Sequence, residues 1–316
     1  MVFKSDINNR FAGLRLDAYL AQKFPYHARN VWQRKIREGA ILLNGKKAKP
    51  STEIPRDSAV AYDFGDFKEF PVRTDYSVLL DDEWLFIVDK PGDIPVHTSG
   101  KYFNNTLIKL LRKEHPGYNL NLVNRLDRET SGIIVLGKTT GACKAMSLMF
   151  MEKRLKKTYI AYTFGQIEKD EFRVDAPIAE EVSGVIRIRM GVNEKGAAAR
   201  TDFKVIKRKN GYTKLYCYPL TGRTNQIRVH LSHIGHPIVG DKLYSGNDED
   251  FLGFVGKGNT PEILGRVILP RQALHAHKLL FTHPFLKEAV EITAPEPEDM
   301  LGFEQAYMDN AGPTAG

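Results

Sequence analysis

The sequence predicts an α+β fold in which a mostly antiparallel, mixed sheet carries the larger of two domains. Three observations support this fold class. Short segments alternate apolar and polar residues, which is typical of antiparallel strands with one covered face. Longer apolar stripes with helical spacing lie between them. The first 65 residues stand apart by charge, because they carry twelve Lys or Arg against six Asp or Glu.

These changes along the chain predict four segments. Residues 1–65 form a small α+β domain, 66–77 a linker, and 78–300 the larger α+β domain. Residues 301–316 form the end of a C-terminal helix and a flexible tail. From about residue 309 the tail is short and rich in small residues, which is typical of a disordered terminus.

The N-terminal domain is predicted to contain two short helices and a hairpin. An apolar stripe that begins at Leu14 predicts the first helix, and a second helix is predicted over 28–38. A strand over 40–43, followed by a turn at Asn44-Gly45, predicts the hairpin.

Basic side chains lie on the predicted outer face of the second helix and on the hairpin. They are Arg29, Arg34, Lys35, Arg37, Lys46 and Lys47. They could form a solvated basic face without a partner. However, the order of helix, basic helix and hairpin resembles the S-four-like RNA-binding domain, and this resemblance implies that they bind RNA. Such contacts with phosphates supply affinity that falls with salt, and little choice of base.

In the larger domain, the predicted strands outnumber the predicted helices. Helices are predicted near 104–113, 140–152 and 297–308. The predicted strands cover residues 78–80, 85–88, 133–136, 158–164, 201–207, 213–219, 226–231 and 287–293.

Composition narrows the classes of function. A formal net charge of +8 and a pI near 9.2 favour a polyanionic partner. Cys143 and Cys217 are too few for a disulfide framework or a cysteine-based zinc site. The first residues lack the apolar core of a signal peptide, and no apolar run approaches the roughly 18 residues of a membrane span. We therefore expect a cytoplasmic protein without a membrane segment, and a monomer by default.

Several catalytic signatures are absent from the sequence. They are the nucleotide-binding glycine motifs, the serine-hydrolase Gly-x-Ser-x-Gly and the zinc-protease His-Glu-x-x-His. His230, His233 and His236 recur at intervals of three, which is compatible with a metal-dependent hydrolase. Because residues 226–231 alternate like a strand, the three imidazoles need not converge. We therefore expect hydrogen-bonding histidines and no metal site.

One acidic residue is placed where a ligand could reach it. Asp127 lies between Arg125 and Arg128, shortly before the apolar strand predicted over 133–136. Nearby cations favour the ionised form of a carboxylate. Asp127 is therefore the first candidate for a reacting group, although this segment alone does not indicate a reaction.

Five segments in order over residues 78–294 resemble one known family. They are DEWLFIVDKPGDIPVH, NRLDRETSG, KKTYIAY, LTGRTNQIRVHLSHIGHPIVGD and RQALHAHKLLFTHP. Together they resemble the RluA-type pseudouridine synthases, in which an S-four-like segment is a common appendage. The resemblance implies an isomerase that needs no metal or organic cofactor and converts uridines of structured ribosomal or transfer RNA to pseudouridine.

The resemblance also implies roles for individual residues. Asp127 matches the catalytic aspartate, which acts either as a nucleophile or by removing the sugar 2′ hydrogen. Arg223 is implied as its ion-pair partner. Tyr159 matches the tyrosine that stacks against the target base, and Arg125 matches the arginine that fills the space left by the flipped uridine.

Two residues depart from the commonest pattern of the family. Asn124 and Asn225 stand where histidine is common, so their effect on the loop or the RNA is open. The alternative function is a catalytically silent RNA-binding or ribosome-assembly factor on the same fold. The joint presence of Asp127, Tyr159 and Arg223 argues against it, because a silent binder needs none of them.

Overall fold

The computed structural model describes residues 2–24, 28–63, 69–98, 102–181, 186 and 188–310. The chain divides into two compact units. The first contains Met1–Pro71 and Thr98–Asn105, and the second contains Val72–His97 and Thr106–Gly316. In the part of the chain that the structure describes, no helix is long and apolar enough to cross a membrane.

The first unit has a four-stranded sheet and two helices. Its elements are β1 (Val2–Asp6), α1 (Leu16–Lys23), α2 (Arg29–Arg37), β2 (Ile41–Leu43), β3 (Lys46–Lys47) and β4 (Ala59–Asp63). The strand order is β1-β4-β2-β3. Trp32 and Ile36 of α2 are buried with Tyr19 of α1, while the basic residues of α2 lie outside this core. The predicted order of helix, helix and hairpin is confirmed.

The second unit is built on a ten-stranded sheet. Its elements before residue 220 are β5 (Ser77–Asp81), β6 (Leu85–Lys90), α3 (Leu107–Glu114), β7 (Asn121–Leu122), β8 (Ser131–Gly137), α4 (Thr140–Met151), β9 (Leu155–Phe164), β10 (Glu171–Asp175), β11 (Ile178–Glu180), β12 (Met190–Val192), β13 (Arg200–Lys209) and β14 (Tyr212–Pro219). Those after it are α5 (Gln226–His233), α6 (Asp248–Lys257), α7 (Pro261–Val267), β15 (Leu274–Thr282), β16 (Ala289–Thr293) and α8 (Glu298–Phe303).

The main sheet has the strand order β10-β13-β14-β9-β15-β8-β6-β5, with β16 paired to β15 and β7 to β8. Among the described strands, β8 and β15 form the one parallel pair. This arrangement confirms the predicted mostly antiparallel, mixed sheet. Strands β11 and β12 form a separate two-stranded sheet.

The start of β8 is fitted closely against β15. Gly132 has a φ of +110°, and a Cβ atom there would lie 2.3 Å from the carbonyl oxygen of Ala276. No other residue type fits this approach without a shift of the backbone. Next to it, the Ser131 hydroxyl lies 2.9 Å from Nδ1 of the buried His275. Ser131 and Gly132 therefore fix where the chain enters β8 from the loop between β7 and β8, which carries Asp127 (the Asp127 loop).

The strand predicted over 226–231 was wrong, because these residues form helix α5. Their polar and apolar residues alternate, but all six are buried. Ile227 and Leu231 contact the main core, whereas the polar side chains make buried hydrogen bonds and ion pairs. The alternation of polar and apolar residues therefore did not correspond to one exposed and one buried face, which is the pattern that would indicate a strand.

Several other elements differ from the sequence predictions. Strand β15 and helices α6 and α7 were not predicted. Helix α8 continues in a π-helical turn at Glu304–Asp309. Of the predicted tail, residues 311–316 lie outside the described residues, as do residues 66–68 of the predicted linker.

Candidate active site

Asp127 lies in the loop between β7 and β8, and its side chain is 34% exposed. Its Oδ2 accepts a hydrogen bond of 2.8 Å from Nη1 of Arg228, which projects from α5. The Nε2 of Gln272 lies 3.5 Å from the same oxygen. Within the described residues, Oδ1 has no hydrogen-bond partner. The carboxylate is thus held by one oxygen while the other can meet a ligand.

The partner implied for Asp127, Arg223, was wrong. Arg223 is exposed, and its Nε donates to the carbonyl oxygen of Ala198 at 3.0 Å. Both arginines belong to the segment that resembles the family, but only Arg228 lies on α5, with its guanidinium on Asp127. Because the segment was interpreted as a strand, the sequence could not distinguish the two arginines.

Arg228 is itself fixed by a buried carboxylate. Its Nε and Nη2 donate to Asp241 at 2.6 and 2.9 Å, and Asp241 is 0% exposed. Burial alone would lower the pKa of Arg228, but the carboxylates of Asp241 and Asp127 raise it overall. Arg228 therefore stays charged. Sequence analysis missed Asp241. The one signal for it was its place at the end of the fourth segment that resembles the family.

Asn225 contacts the same guanidinium. Its φ of +55° is left-handed, a conformation that asparagine tolerates better than most residues. Its Oδ1 accepts from Nη1 of Arg228 at 3.0 Å, and its Nδ2 donates to the hydroxyl of Tyr244 at 3.1 Å. The Tyr244 ring lies 5.0 Å from Cζ of Arg228. Asn225 thus helps to orient the cation that holds Asp127.

Asn124 serves the other end of the loop. Its Nδ2 donates to the carbonyl oxygen of Ile133 at 3.2 Å, and its Oδ1 accepts from the backbone N–H of Val135 at 2.8 Å. The side chain therefore bonds to β8 much as a neighbouring strand would. This ties the start of the loop to the central sheet.

The back of the Asp127 loop is held by the half-buried Arg128 and by three buried cations, Lys90, Lys242 and Arg271. Lys242 donates to the carboxylate of Glu129 at 2.9 Å, and Arg128 donates to the same carboxylate at 2.8 Å. Burial would raise the pKa of Glu129, but Lys242 and Arg128 lower it overall. Lys90 donates to the carbonyl oxygen of Arg128 at 3.0 Å, and Arg271 donates to that of Glu129 at 3.1 Å. The loop is therefore anchored on both sides of Asp127.

Lys90 is fully buried at the end of β6. Its ammonium also donates to the carbonyl oxygens of Pro91 and Ile94, at 2.8 and 3.0 Å. Burial, with Arg271 nearby, lowers the pKa of Lys90 to about 7. Three carbonyl acceptors match the three donors of an ammonium group. Lys90 thus supports the loop rather than facing a ligand.

Tyr159 lies on β9 and is half-buried. Burial, and then the charge of Asp127, raises the pKa of Tyr159 to about 12. Its phenol therefore stays protonated at neutral pH. Its ring packs against two core clusters, which leaves it suited to stacking rather than to removing a proton.

The remaining predicted residues lie in two places. Arg125 is exposed beside Asp127. In the first unit, Arg34, Arg37, Lys46 and Lys47 are exposed. Arg29 is also exposed but donates to the buried Asp17 at 3.0 Å, and Lys35 lies 5.2 Å from the Tyr62 ring. These two are thus partly engaged within the domain.

The histidines do not form a ligand set among the residues that the structure describes. His230 is buried, with Nδ1 2.9 Å from the Thr201 hydroxyl and Nε2 3.0 Å from the carbonyl oxygen of Ala176. His236 places Nδ1 3.0 Å from the carbonyl oxygen of Phe164. Both ring nitrogens of His230 and Nδ1 of His236 are thus engaged in hydrogen bonds.

Comparison with known proteins bears on this site. A family model described as RNA pseudouridylate synthase matches residues 84–233, and one described as S4 domain matches residues 14–60. The ribosomal large subunit pseudouridine synthase D of Nitrosomonas europaea is 33% identical over 312 residues, which cover 96% of this chain and 87% of that protein. Its namesake from Xylella fastidiosa is 33% identical, with 95% and 91% covered.

A solved structure has a similar fold. Human RNA pseudouridylate synthase domain containing 1 superposes with a TM-score of 0.57 and 27% sequence identity. The match covers 73% of this chain and 87% of the human chain. The residues of the Asp127 loop and of α5 fall within the matched region of the family model.

Proposed function

Because this chain belongs to the RNA pseudouridylate synthase family, and is thus an isomerase that converts uridine in RNA to pseudouridine, we propose that Asp127 is its reacting group and large-subunit ribosomal RNA its substrate. The observation that carries the assignment of Asp127 is its ion pair with Arg228, which leaves Oδ1 open to a ligand. The names of the relatives support the choice of RNA.

The reaction breaks the C1′–N1 bond of uridine, turns the uracil and forms a C1′–C5 bond. C5 then loses a proton and N1 takes one up, so that the composition of the nucleoside is unchanged. Oδ1 of Asp127 either attacks C1′ or removes the 2′ hydrogen, and both routes need an ionised carboxylate. Arg228 orients this carboxylate. The neutral phenol of Tyr159 packs against the base, and Arg125 fills the space that the uridine leaves.

The first unit supplies affinity in this proposal. The exposed Arg34, Arg37, Lys46 and Lys47, with Arg29 and Lys35, contact RNA phosphates. Removal of residues 1–65 should therefore weaken RNA binding and flatten its salt dependence. We also infer that the protein acts as a monomer in the cytoplasm, with a mass near 35.8 kDa by light scattering.

The test is release of tritium from RNA labelled at uridine C5, with chelator present and no added metal. Wild-type protein should release tritium from large-subunit ribosomal RNA, and Asp127→Asn should release none while its RNA affinity stays within a few-fold. A wild-type protein that binds this RNA but releases no tritium from any ribosomal RNA would instead be a silent RNA-binding factor. Wild-type turnover by Asp127→Asn would refute the role of Asp127.

A further inference from the structure

A small pocket opens beside Tyr159 in the second unit. Its polar lining consists of Asn124, Lys157, Tyr159 and Lys278, and its walls include the apolar side chains of Phe150 and Leu279. Its volume is about 20 Å³, which is room for about one water-sized group. A single oxygen atom of a larger ligand fits this space.

Lys157 is the unusual member of this lining. It is half-buried, and burial, followed by the nearby charge of Lys153, lowers its pKa. No carboxylate or other hydrogen-bond partner meets its ammonium within the described residues. Lys278 differs, because it donates to Glu291 at 2.9 Å. Removing water from an ammonium group without giving it a partner costs free energy. An anionic ligand would offset this cost.

The position of Lys157 relates this charge to the reaction. Lys157 and Tyr159 are two residues apart on β9, so their side chains lie on the same face, about 7 Å apart along the strand. This separation is comparable to the distance between a nucleobase and the backbone that carries it. Asn124, three residues before Asp127, lines the same pocket.

We propose that Lys157 binds a non-bridging phosphate oxygen of the RNA backbone next to the target uridine. The proposal rests on the proposed function, because it takes the base to lie against Tyr159. The small pocket accepts the oxygen, Lys157 supplies the charge, and Lys153 adds to the positive potential. The contact is electrostatic, so it positions the uridine without selecting the base.

The chain offers a matched control for the test. Lys156 precedes Lys157 on β9 but is exposed and points to the opposite face of the strand. We compare Lys157→Met, Lys157→Arg and Lys156→Met with wild type. The measurements are KM and kcat for tritium release from large-subunit ribosomal RNA, and RNA affinity between 50 and 200 mM salt (about the range in which phosphate contacts are resolved).

Lys157→Met should raise KM about tenfold and lower the slope of log affinity against log salt by about 0.7–0.9, while kcat at saturating RNA stays within about threefold. Lys157→Arg should keep the wild-type salt slope, and Lys156→Met should change KM less than threefold. Thermal unfolding of each variant checks that the fold is retained. A Lys157→Met variant with the wild-type salt slope, or a Lys156→Met variant with an equal loss, would overturn the proposal.

Failure of this inference is distinguishable from failure of the proposed function. If wild type releases tritium and Asp127→Asn does not, the function stands whatever Lys157→Met does. An unchanged Lys157→Met in that setting overturns only the phosphate contact. Absence of tritium release by wild type overturns the proposed function itself.

Discussion

Because Arg228, and not Arg223, pairs with Asp127, variants of the two arginines can be compared directly. Arg228→Met removes the 2.8 Å hydrogen bond to Asp127 and both bonds to Asp241. Arg223→Met removes one side-chain bond, to the carbonyl oxygen of Ala198 on the surface. We expect a large loss of activity and stability in the first variant and little change in the second.

The magnitudes follow from burial. Breaking a buried ion pair by removing one partner costs about 3–5 kcal/mol, because the other charge is left unpaired. Asp241 is 0% exposed but keeps bonds from the backbone N–H groups of Leu243 and Tyr244, at 3.1 and 3.2 Å. We therefore expect a loss near the lower end, about 3 kcal/mol. For Arg223→Met the exposed position predicts about 0.5 kcal/mol or less.

The effect on catalysis is estimated from the bond to Asp127. A hydrogen bond to a charged group contributes about 1.5–3 kcal/mol. If this bond holds the carboxylate in its productive orientation, its loss lowers kcat by roughly 10- to 150-fold. Urea unfolding measures the stability change, and single-turnover tritium release at saturating RNA measures the rate.

A double variant separates orientation from folding. Asp241→Asn, added to Arg228→Met, removes the stranded charge but keeps an acceptor for the backbone of Leu243 and Tyr244. Stability should largely return, while the rate stays low because Asp127 remains unheld. Recovery of the rate together with stability, or an equal loss of rate in Arg223→Met, would refute the role given to Arg228.

Three further predictions concern Glu129, Asn225 and Glu304. Lys242→Met removes one of the two cations that bond to the carboxylate of Glu129 and leaves Arg128 as the other, so unfolding should become easier by about 1.5–3 kcal/mol and kcat should fall. Adding Glu129→Gln should restore part of the stability in urea unfolding. Asn225→Gly keeps the left-handed backbone without strain but loses the contacts to Arg228 and Tyr244, so it should lower kcat several-fold with little change in melting temperature. Asn225→Ala loses the same contacts and also strains the left-handed backbone, so it should lower both kcat and the melting temperature. Burial would raise the pKa of Glu304, but Lys214, Lys207 and Tyr162 lower it from 4.5 to about 2. Because the folded-state pKa is depressed, the stabilisation from Glu304 is present above about pH 5 and is lost as the pH falls towards 2, by roughly 3 kcal/mol at most. Glu304→Gln should therefore flatten the change in unfolding free energy between pH 5 and 2.

The parts of the fold that were predicted correctly are those with local signals. In α2, Trp32 and Ile36 are buried while Arg34 and Arg37 are exposed, so spacing along the sequence reports the helix face. Strand β8 could be predicted from its uninterrupted apolar run, which is buried throughout. For the residues named in α2 and for residues 133–136 of β8, the polarity of each side chain matches its exposure, whereas the polar Ser131 at the start of β8 is buried.

The parts that were missed are those in which polar residues are buried or the contacts are distant. In α5, Arg228 and His230 are buried because Asp241 and Thr201 meet them, and neither partner is visible in local periodicity. The pairing of Glu129 with Lys242 joins residues 113 positions apart. Motif resemblance located the segment that holds Asp127's partner, but choosing the arginine required the backbone geometry of α5.

The ion pairs around Asp127 also explain how its charge remains available. If Arg228 contacted Asp127 alone, the pair would be neutral and the carboxylate would be a weaker nucleophile or base. Arg228 instead shares its guanidinium with the fully buried Asp241, so the three groups together carry one net negative charge. Behind the loop, the two cations Lys242 and Arg128 are balanced by the two carboxylates of Glu129 and Asp93. The uncompensated charge therefore belongs to the half-exposed Asp127, whose Oδ1 is the oxygen that no described residue binds.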